Sequence, residues 1–528
     1  MSGARKTPPT VPYPIPLLFH GWHIMAQGLP SFISKAISET DRLMEQTPSQ
    51  DKTVVPAQFP FTVKKAILES YVVVRDPEHV LRVFHSEQMV PEGSHVQLLY
   101  KAVGPPKEAM RLVEKSSRSL KKDDDFVYAQ ATVPRKYLQG DRLASISEKY
   151  ISNLRRNMAS KMFQERTWTE IEDLWSFTQL EVTRAIAEAL FGSALLQMHP
   201  RLVSDFVEYE SGADELERKL PVFASTKVYQ ARERLLKALV DWLAISDKGS
   251  EAAEGGEPWD ATRGSSFFQA SDRAIARIAP GYAVRASAAL ALLRRAASGT
   301  APLAFWSIVE LLRDPALLRS FASLVERSYD ARTGLYDVVQ LTSNPLMQSM
   351  HAEVSRLRTS SHVVLHNREG DFDLDENWTI PKGSFVAIPS RQLALNTTLW
   401  CKARPQAVKV PLEKFWAERF LTHDNGAKAI EKAASAGGFG LEGVEPLMMT
   451  TYGSGPHACP GQELAKAIEV GSLAVFLNEY EIQLSDADEA EERIRQHTQK
   501  DDSGCKKPPR NVRMRLRIRT APEPRQRR

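Results

Sequence analysis

Apolar positions recur at helical spacing through most of this chain. In "ISEKYISNLRRNMASKMF" and "DLWSFTQLEVTRAIAEALFG" they stand at i, i+3, i+4 and i+7, the stripe of a helix that buries one face. Gly192 closes the second as a C-cap. From about residue 134 to 245 the pattern is mostly helical, and "PEHVLRVFHSE", "MQSMHAEVSRLRTS" (347–360) and residues 461–480 add further helices. The longest run, "GYAVRASAALALLRRAASGTAPLAFWSIVELLRD" (281–314), predicts a buried helix with one interruption at "SGTAP", because Gly299 and Pro302 both disfavour a helix interior. Period-two signals are few. "PFTVKKAILESYVVVRDP" (60–77) reads as two short strands, and "WTIPKGSFVAIPSRQ" (378–392) as a hairpin around Pro381-Lys382-Gly383. "RNVRMRLRIRT" (510–520) alternates Val512, Met514, Leu516 and Ile518 with arginines, a half-buried strand. The fold class is therefore mainly α with small β-sheets (α+β). Residues 393–450 show little periodicity, and a segment that long in a compact domain usually wraps something or serves function.

Composition narrows the picture. The 528 residues are 42% hydrophobic and 25% charged, as in a globular protein with a real core. A net charge of +4 gives no argument for a nucleic-acid partner, and the alternating arginines of 510–520 belong to a strand. Three cysteines make neither a disulfide framework nor a zinc site, which fits a reducing compartment or the cytosolic side of a membrane. Cys401 and Cys505 read as unreactive thiols. The N-terminal stretch "VPYPIPLLFHGWHIMAQGLPSFI" is broken by Pro12, Pro14, Pro16 and Pro30, so it predicts an extended arm laid on a surface, not a spanning helix. That arm could pack on the domain or dip into a lipid interface.

The chemistry concentrates in "TTYGSGPHACPGQELAKA" (450–467). Gly453 and Gly455 permit positive φ and close backbone approach. Cys459 precedes a helix whose N-terminus favours a thiolate. Gly461 and Ala465 keep the neighbouring face small. Such a thiolate could be a nucleophile, with His457 as the local base, or a redox thiol, or a metal ligand.

"YGSGPHACPG" resembles the haem-binding loop of the cytochrome P450 family: an aromatic, two residues, Gly, any, basic, any, Cys, any, Gly, and a small residue four further on. Tyr452, Gly455, His457, Cys459, Gly461 and Ala465 fill those positions, with Tyr where Phe is usual and His where Arg is usual. Two further stretches occur in the family's order. Glu353 and Arg356 in "EVSR" resemble its Glu-x-x-Arg pair, and Arg419 in "FWAERF" resembles its additional arginine. The resemblance implies that these three form a charged network locking the cysteine loop to the core, that His457 meets a haem propionate, and that the "SGTAP" helix is the long central helix over a haem. It also makes "PPTVPYPIP" the proline-rich hinge that follows the family's membrane anchor. It covers about residues 8 to 520, and so implies a proline-rich segment (1–33), a single haem-thiolate domain (34–521) and a basic tail (522–528).

The implied cofactor is haem b, its iron held by Cys459. The implied function is a monooxygenase that hydroxylates a small lipophilic substrate with O2 and electrons from a separate NADPH-cytochrome P450 reductase, in secondary metabolism or sterol and lipid oxidation. The chain would act as a monomer. The family's setting is the cytosolic face of the endoplasmic reticulum membrane; because this chain begins near the hinge, a cytoplasmic or peripherally bound protein is the other expectation. "GTAPLAFW" is most similar to the branch with sterol 7-hydroxylases and prostacyclin synthase. Ala297, Thr300 and Ala301 would line the pocket, with Thr300 as the catalytic hydroxyl. Three departures stand out. Gly299 replaces the acid that precedes the threonine in many members. Residues 120–150 lack a tryptophan-basic pair, leaving Arg135 or Lys136 as a substitute. Ala394 stands where a histidine is common. The first keeps open a reductase-independent isomerase or dehydratase of a peroxide; a non-catalytic haem- or lipid-binding relative is a further reading.

Overall fold

The computed structural model of the chain describes residues 6–12, 19–46, 59–67, 69–91, 99–116, 126–213, 216, 226–248, 258–358, 363–422, 438–499 and 508–519. Helices dominate, and short strands form small sheets at the edges. The central helix, Tyr282–Arg313, packs against Leu174–Phe191, Thr226–Lys248 and Gln462–Glu479. Gly140–Ala159 packs in turn on Leu174–Phe191 and Gln462–Glu479, where Tyr150 Oη lies 2.7 Å from Ser472 Oγ. One large apolar cluster runs through this bundle. The helical stripes in the sequence are the faces buried in it, and Gly192 follows the second stripe at φ 88°.

The expected interruption at "SGTAP" is absent: the central helix runs unbroken from 282 to 313 with Pro302 inside it. A proline costs about 3 kcal/mol in an isolated helix. Here Ala301, Leu303 and Ala304 are almost wholly buried, so packing on both flanks outweighs that local preference.

A five-stranded sheet has the order Phe61–Ala66, Glu69–Val73, Phe385–Ile388, Val363–Asn367, Met89–Pro91. The expected hairpin at 378–392 is not one. Gly383 does turn the chain at φ 81°, but Thr379–Ile380 pairs with Phe372–Asp373, whereas Phe385–Ile388 pairs with Val363–Asn367 and, in parallel, with Glu69–Val73. The strand 514–518 lies between Tyr480–Leu484 and Thr169–Ile171, with Val512, Met514 and Leu516 fully buried. The N-terminal arm is extended only at its start. Residues 6–12 lie along the sheets, with Val11 N–H donating to Thr62 O at 2.9 Å and Thr62 N–H to Pro9 O at 2.7 Å. From Gly21 the chain is helical, Gly21–Gln27 and then Leu29–Gln46, where Pro30 falls in a first turn that has no use for its missing N–H. Among the described residues no helix is long and apolar enough to cross a membrane. Cys401 is exposed on Thr397–Ala403, and Cys505 lies outside the described residues.

Candidate active site

The cysteine loop is a tight backbone construction. Cys459 N–H donates to Tyr452 O at 2.6 Å, and His457 N–H to Ser454 O at 3.0 Å. Gly453 and Gly455 sit at φ 72° and 54°, the left-handed region that favours glycine. At Gly453 no other residue fits, because a Cβ there would lie 2.2 Å from His457 O. The helix Gln462–Glu479 begins after the loop, with Gly461 as its N-cap, so Cys459 stands two residues ahead of the cap. Among the described residues no N–H donates to its sulfur. The sulfur faces a cavity instead.

That cavity has a volume of about 320 Å³. Cys459, Pro460, Gly461, Leu464 and Ala465 form one wall. Ala296, Gly299, Thr300 and Leu303 of the central helix form another, so the helix expected to overlie the cysteine does so. Of the expected lining residues, Thr300 reaches the cavity, while Ala297 and Ala301 are buried in the bundle without lining it. A Cβ built on Gly299 meets no atom within 4 Å, which leaves that wall clear. Thr300 is buried and its hydroxyl donates to Ala296 O at 2.5 Å, so toward the cavity its oxygen can accept but its proton is engaged.

Glu353, Arg356 and Arg419, 66 residues apart at the extremes, meet with their side chains at 0% exposure. Arg356 Nε and Nη2 each donate to Glu353 at 2.8 Å, and Arg419 Nε donates to it at 2.9 Å. The remaining guanidinium donors go to backbone carbonyls. Arg356 reaches Ala394 and Leu412; Arg419 reaches Ala407, Val410, Pro411 and Lys414. What these hydrogen bonds hold is therefore the aperiodic stretch 394–414. The cysteine loop itself is met by the same helix, Pro345–Arg358, at another point: the Tyr452 ring stacks on His351 at 5.5 Å. Burial pushes the Tyr452 hydroxyl pKa far up, against a hydrogen bond to Ser355.

His457 is half-buried, and burial pushes its pKa below the ordinary value, with the Ser86 carbonyl opposing and Arg135 reinforcing the shift. Its Nε2–H donates to Ser86 O at 3.1 Å. The neutral ring then offers only an acceptor at Nδ1, so pairing with a carboxylate requires a second proton. Arg135 and Lys136, the expected substitute cations, are both exposed, and Arg135 is near enough to act on His457. Ala394 is buried at the end of Ser390–Ala394 with its carbonyl taken by Arg356.

Two features escaped the sequence reading. Glu469, buried on the helix after the cysteine loop, accepts from Ser307 of the central helix at 2.5 Å and pairs with His351. A lone acid in the apolar run of 464–477 was its only signal. The other is Arg295, which lines the cavity one turn before Gly299.

The residues fit a flat, largely apolar group ligated by sulfur. The thiol is exposed to the cavity, the wall beside it is kept low by Gly461 and Ala465, and the facing helix is clear at Gly299. The family model described as Cytochrome P450 matches residues 298–512. The chain is similar to the cytochrome P450 monooxygenase efuG of Hormonema carpetanum, 25% identical over 503 residues, 91% of this chain and 85% of that protein. It is likewise similar to the cytochrome P450 monooxygenase fsoE of Humicola fuscoatra, 25% identical over 504 residues, 91% of this chain and 83% of the relative. The cholesterol 7-alpha-monooxygenase of Cricetulus griseus is 24% identical over 371 residues, 66% of this chain and 67% of that enzyme.

Proposed function

This chain belongs to the cytochrome P450 family, and we propose that it is a haem-thiolate monooxygenase that oxidises a small lipophilic molecule with O2 and NADPH-derived electrons from a separate reductase. The observation that carries the reading is Cys459, open to a cavity whose opposite wall is Gly299 and Thr300. Cys459 would ligate the iron, and Arg135 with His457 would face the propionates. When bound, haem ligated by the Cys459 thiolate would supply O2 activation and O–O cleavage. The protein's own residues do the rest. Gly461, Ala465 and Gly299 leave room for the ring, Thr300 presents an oxygen that accepts a hydrogen bond, and Ala296 and Leu303 exclude water beside it. The similarity to fungal P450 monooxygenases supports a role in secondary metabolism.

The test is the reduced, carbon-monoxide-bound difference spectrum of the purified protein beside Cys459→Ala. The thiolate-haem band is expected in the wild type and absent in the variant; haem bound without that band refutes Cys459 as the ligand. Gly299, in the place of an acid, is the one observation that favours a reductase-independent isomerase or dehydratase. Turnover that stops when NADPH or reductase is left out separates the two readings. Peripheral membrane contact is supported by Trp22 and Ile67, 72% and 69% exposed, on the N-terminal helix and the adjoining hairpin turn. Failure to float with phosphatidylcholine vesicles would remove that part of the proposal.

A further inference from the structure

The central helix carries four arginines besides its apolar face, and three of them are paired with acids. Arg285 meets Asp272 and Asp247, Arg294 meets Glu210, and Arg313 meets Glu310 and Glu491. Arg295 differs. Among the described residues no carboxylate lies within salt-bridge distance of it. Its Nη2 donates to Gln130 Oε1 at 2.7 Å and its Nε to Ala291 O at 3.4 Å. Arg295 is exposed, and it lines the cavity that holds Cys459. Burial lowers its pKa, while Tyr100 and Cys459 oppose that shift. An arginine stays charged even so, because the guanidinium is too strong a base to lose its proton in a protein. The cavity around it is lined by Phe267, Phe268, Ile275, Ala289 and Leu292, and also by Arg285 and Asp272, which pair with each other. Arg295, the guanidinium there with no carboxylate partner among the described residues and with donors left over, is a site for a carboxylate.

We propose that Arg295 binds a carboxylate of the substrate, so that the molecule oxidised is an apolar acid rather than a neutral hydrocarbon or alcohol. This rests on the monooxygenase reading of the same cavity and narrows its substrate class. Arg295 and Gly299 stand at i and i+4 on one face, about 6 Å apart along the axis. A substrate held at Arg295 therefore extends over Gly299 and Thr300 toward Cys459, which makes Arg295 a residue that sets the position of oxidation. Gln130 orients it: its amide oxygen accepts from Nη2, and among the described residues Nη1 has no hydrogen bond.

Carboxylates reach this cavity from two sources, the substrate and the propionates of haem, and the test separates them. Dodecanoic, abietic and oleanolic acids and their methyl esters are titrated into the haem-loaded protein by calorimetry. At least one acid is expected to bind about tenfold to a hundredfold more tightly than its ester, as a charge-assisted hydrogen bond in an enclosed site implies. Arg295→Gln should remove that preference and Arg295→Lys should keep part of it, both with wild-type haem content. Esters bound as well as acids, no acid bound at all, or haem lost from Arg295→Gln in place of acid preference would each overturn the proposal. The last would assign Arg295 to a propionate. A protein that prefers acids but lacks the thiolate-haem band would instead refute the monooxygenase reading and leave the carboxylate site standing.

Discussion

Replacing Glu353 by Gln is a one-atom change with large consequences for the buried network. Glu353 Oε1 accepts from Arg356 Nη2, Arg419 Nε and Trp416 N–H, the last at 3.1 Å, and Oε2 accepts from Arg356 Nε. A glutamine keeps one oxygen for the first set but turns an NH2 group toward Arg356 Nε, donor against donor. It also leaves two guanidinia with fully buried side chains and no counter-charge. Breaking a buried ion pair by removing one partner costs about 3–5 kcal/mol. A domain has about 5–15 kcal/mol in all, so the variant should be marginal. The assay is urea unfolding followed by far-ultraviolet circular dichroism, wild type beside Glu353→Gln and Arg419→Met. Arg419→Met should be at least as damaging, because the carbonyls of Ala407, Val410, Pro411 and Lys414 lose their donor as well. The bond to Ala407 is buried and the other three are partly so; a buried carbonyl left unpaired costs about 1–3 kcal/mol. A loss below about 1 kcal/mol in both variants would show that water or rearrangement replaces these bonds, and the reasoning would fail.

Two other perturbations test neighbouring parts of the argument. Gly453→Ala places a Cβ against the His457 carbonyl at positive φ, so it should cost several kcal/mol locally, about 1–3 from backbone conformation alone, and lower haem content; unchanged haem content would show that the loop adapts. Asp247 is held below the usual carboxylate range by its hydrogen bond to Arg285, with burial opposing. Its contribution is therefore present above about pH 4 and is lost as pH falls through the lowered value. Asp247→Asn should flatten the acid limb of stability against pH, with a loss at neutrality below about 1 kcal/mol because the carboxylate is 42% exposed; an unchanged acid limb in urea midpoints counts against it.

The cysteine loop and the Glu-x-x-Arg pair were legible because their chemistry is compressed into short spacings: two glycines, a histidine, a cysteine and a small residue within 453–465, and an acid and a base at i and i+3. The helical bundle was legible for a related reason, since a buried stripe repeats in every turn. What failed depended on distant partners. Pro302 and Gly299 speak locally for a break, and three packed helices overrule them. Pro381-Lys382-Gly383 is a true turn, but the strands on either side take partners elsewhere in the chain. The carbonyls that bind Arg356 and Arg419 lie in a stretch without periodicity, where no sequence pattern names an acceptor.

Arg295 shows the same limit at the site itself. In the sequence it is one half of "RR", and nothing separates it from Arg294. The fold gives Arg294 a carboxylate 84 residues away and leaves Arg295, one step around the helix, lining the cavity with an amide and a carbonyl as its partners among the described residues. A rotation of about 100° per residue is what divides a structural cation from a ligand-facing one. The two walls of the cavity thus carry different kinds of information. The wall at Cys459, Gly461 and Ala465 is made of what the family's shared cofactor needs, and it could be read from a motif. The facing wall combines the removal of a side chain at Gly299 with a single charge one turn earlier. Room at one position and attraction at the other orient a bound molecule along the helix axis, and that arrangement selects among substrates without altering the chemistry done to them.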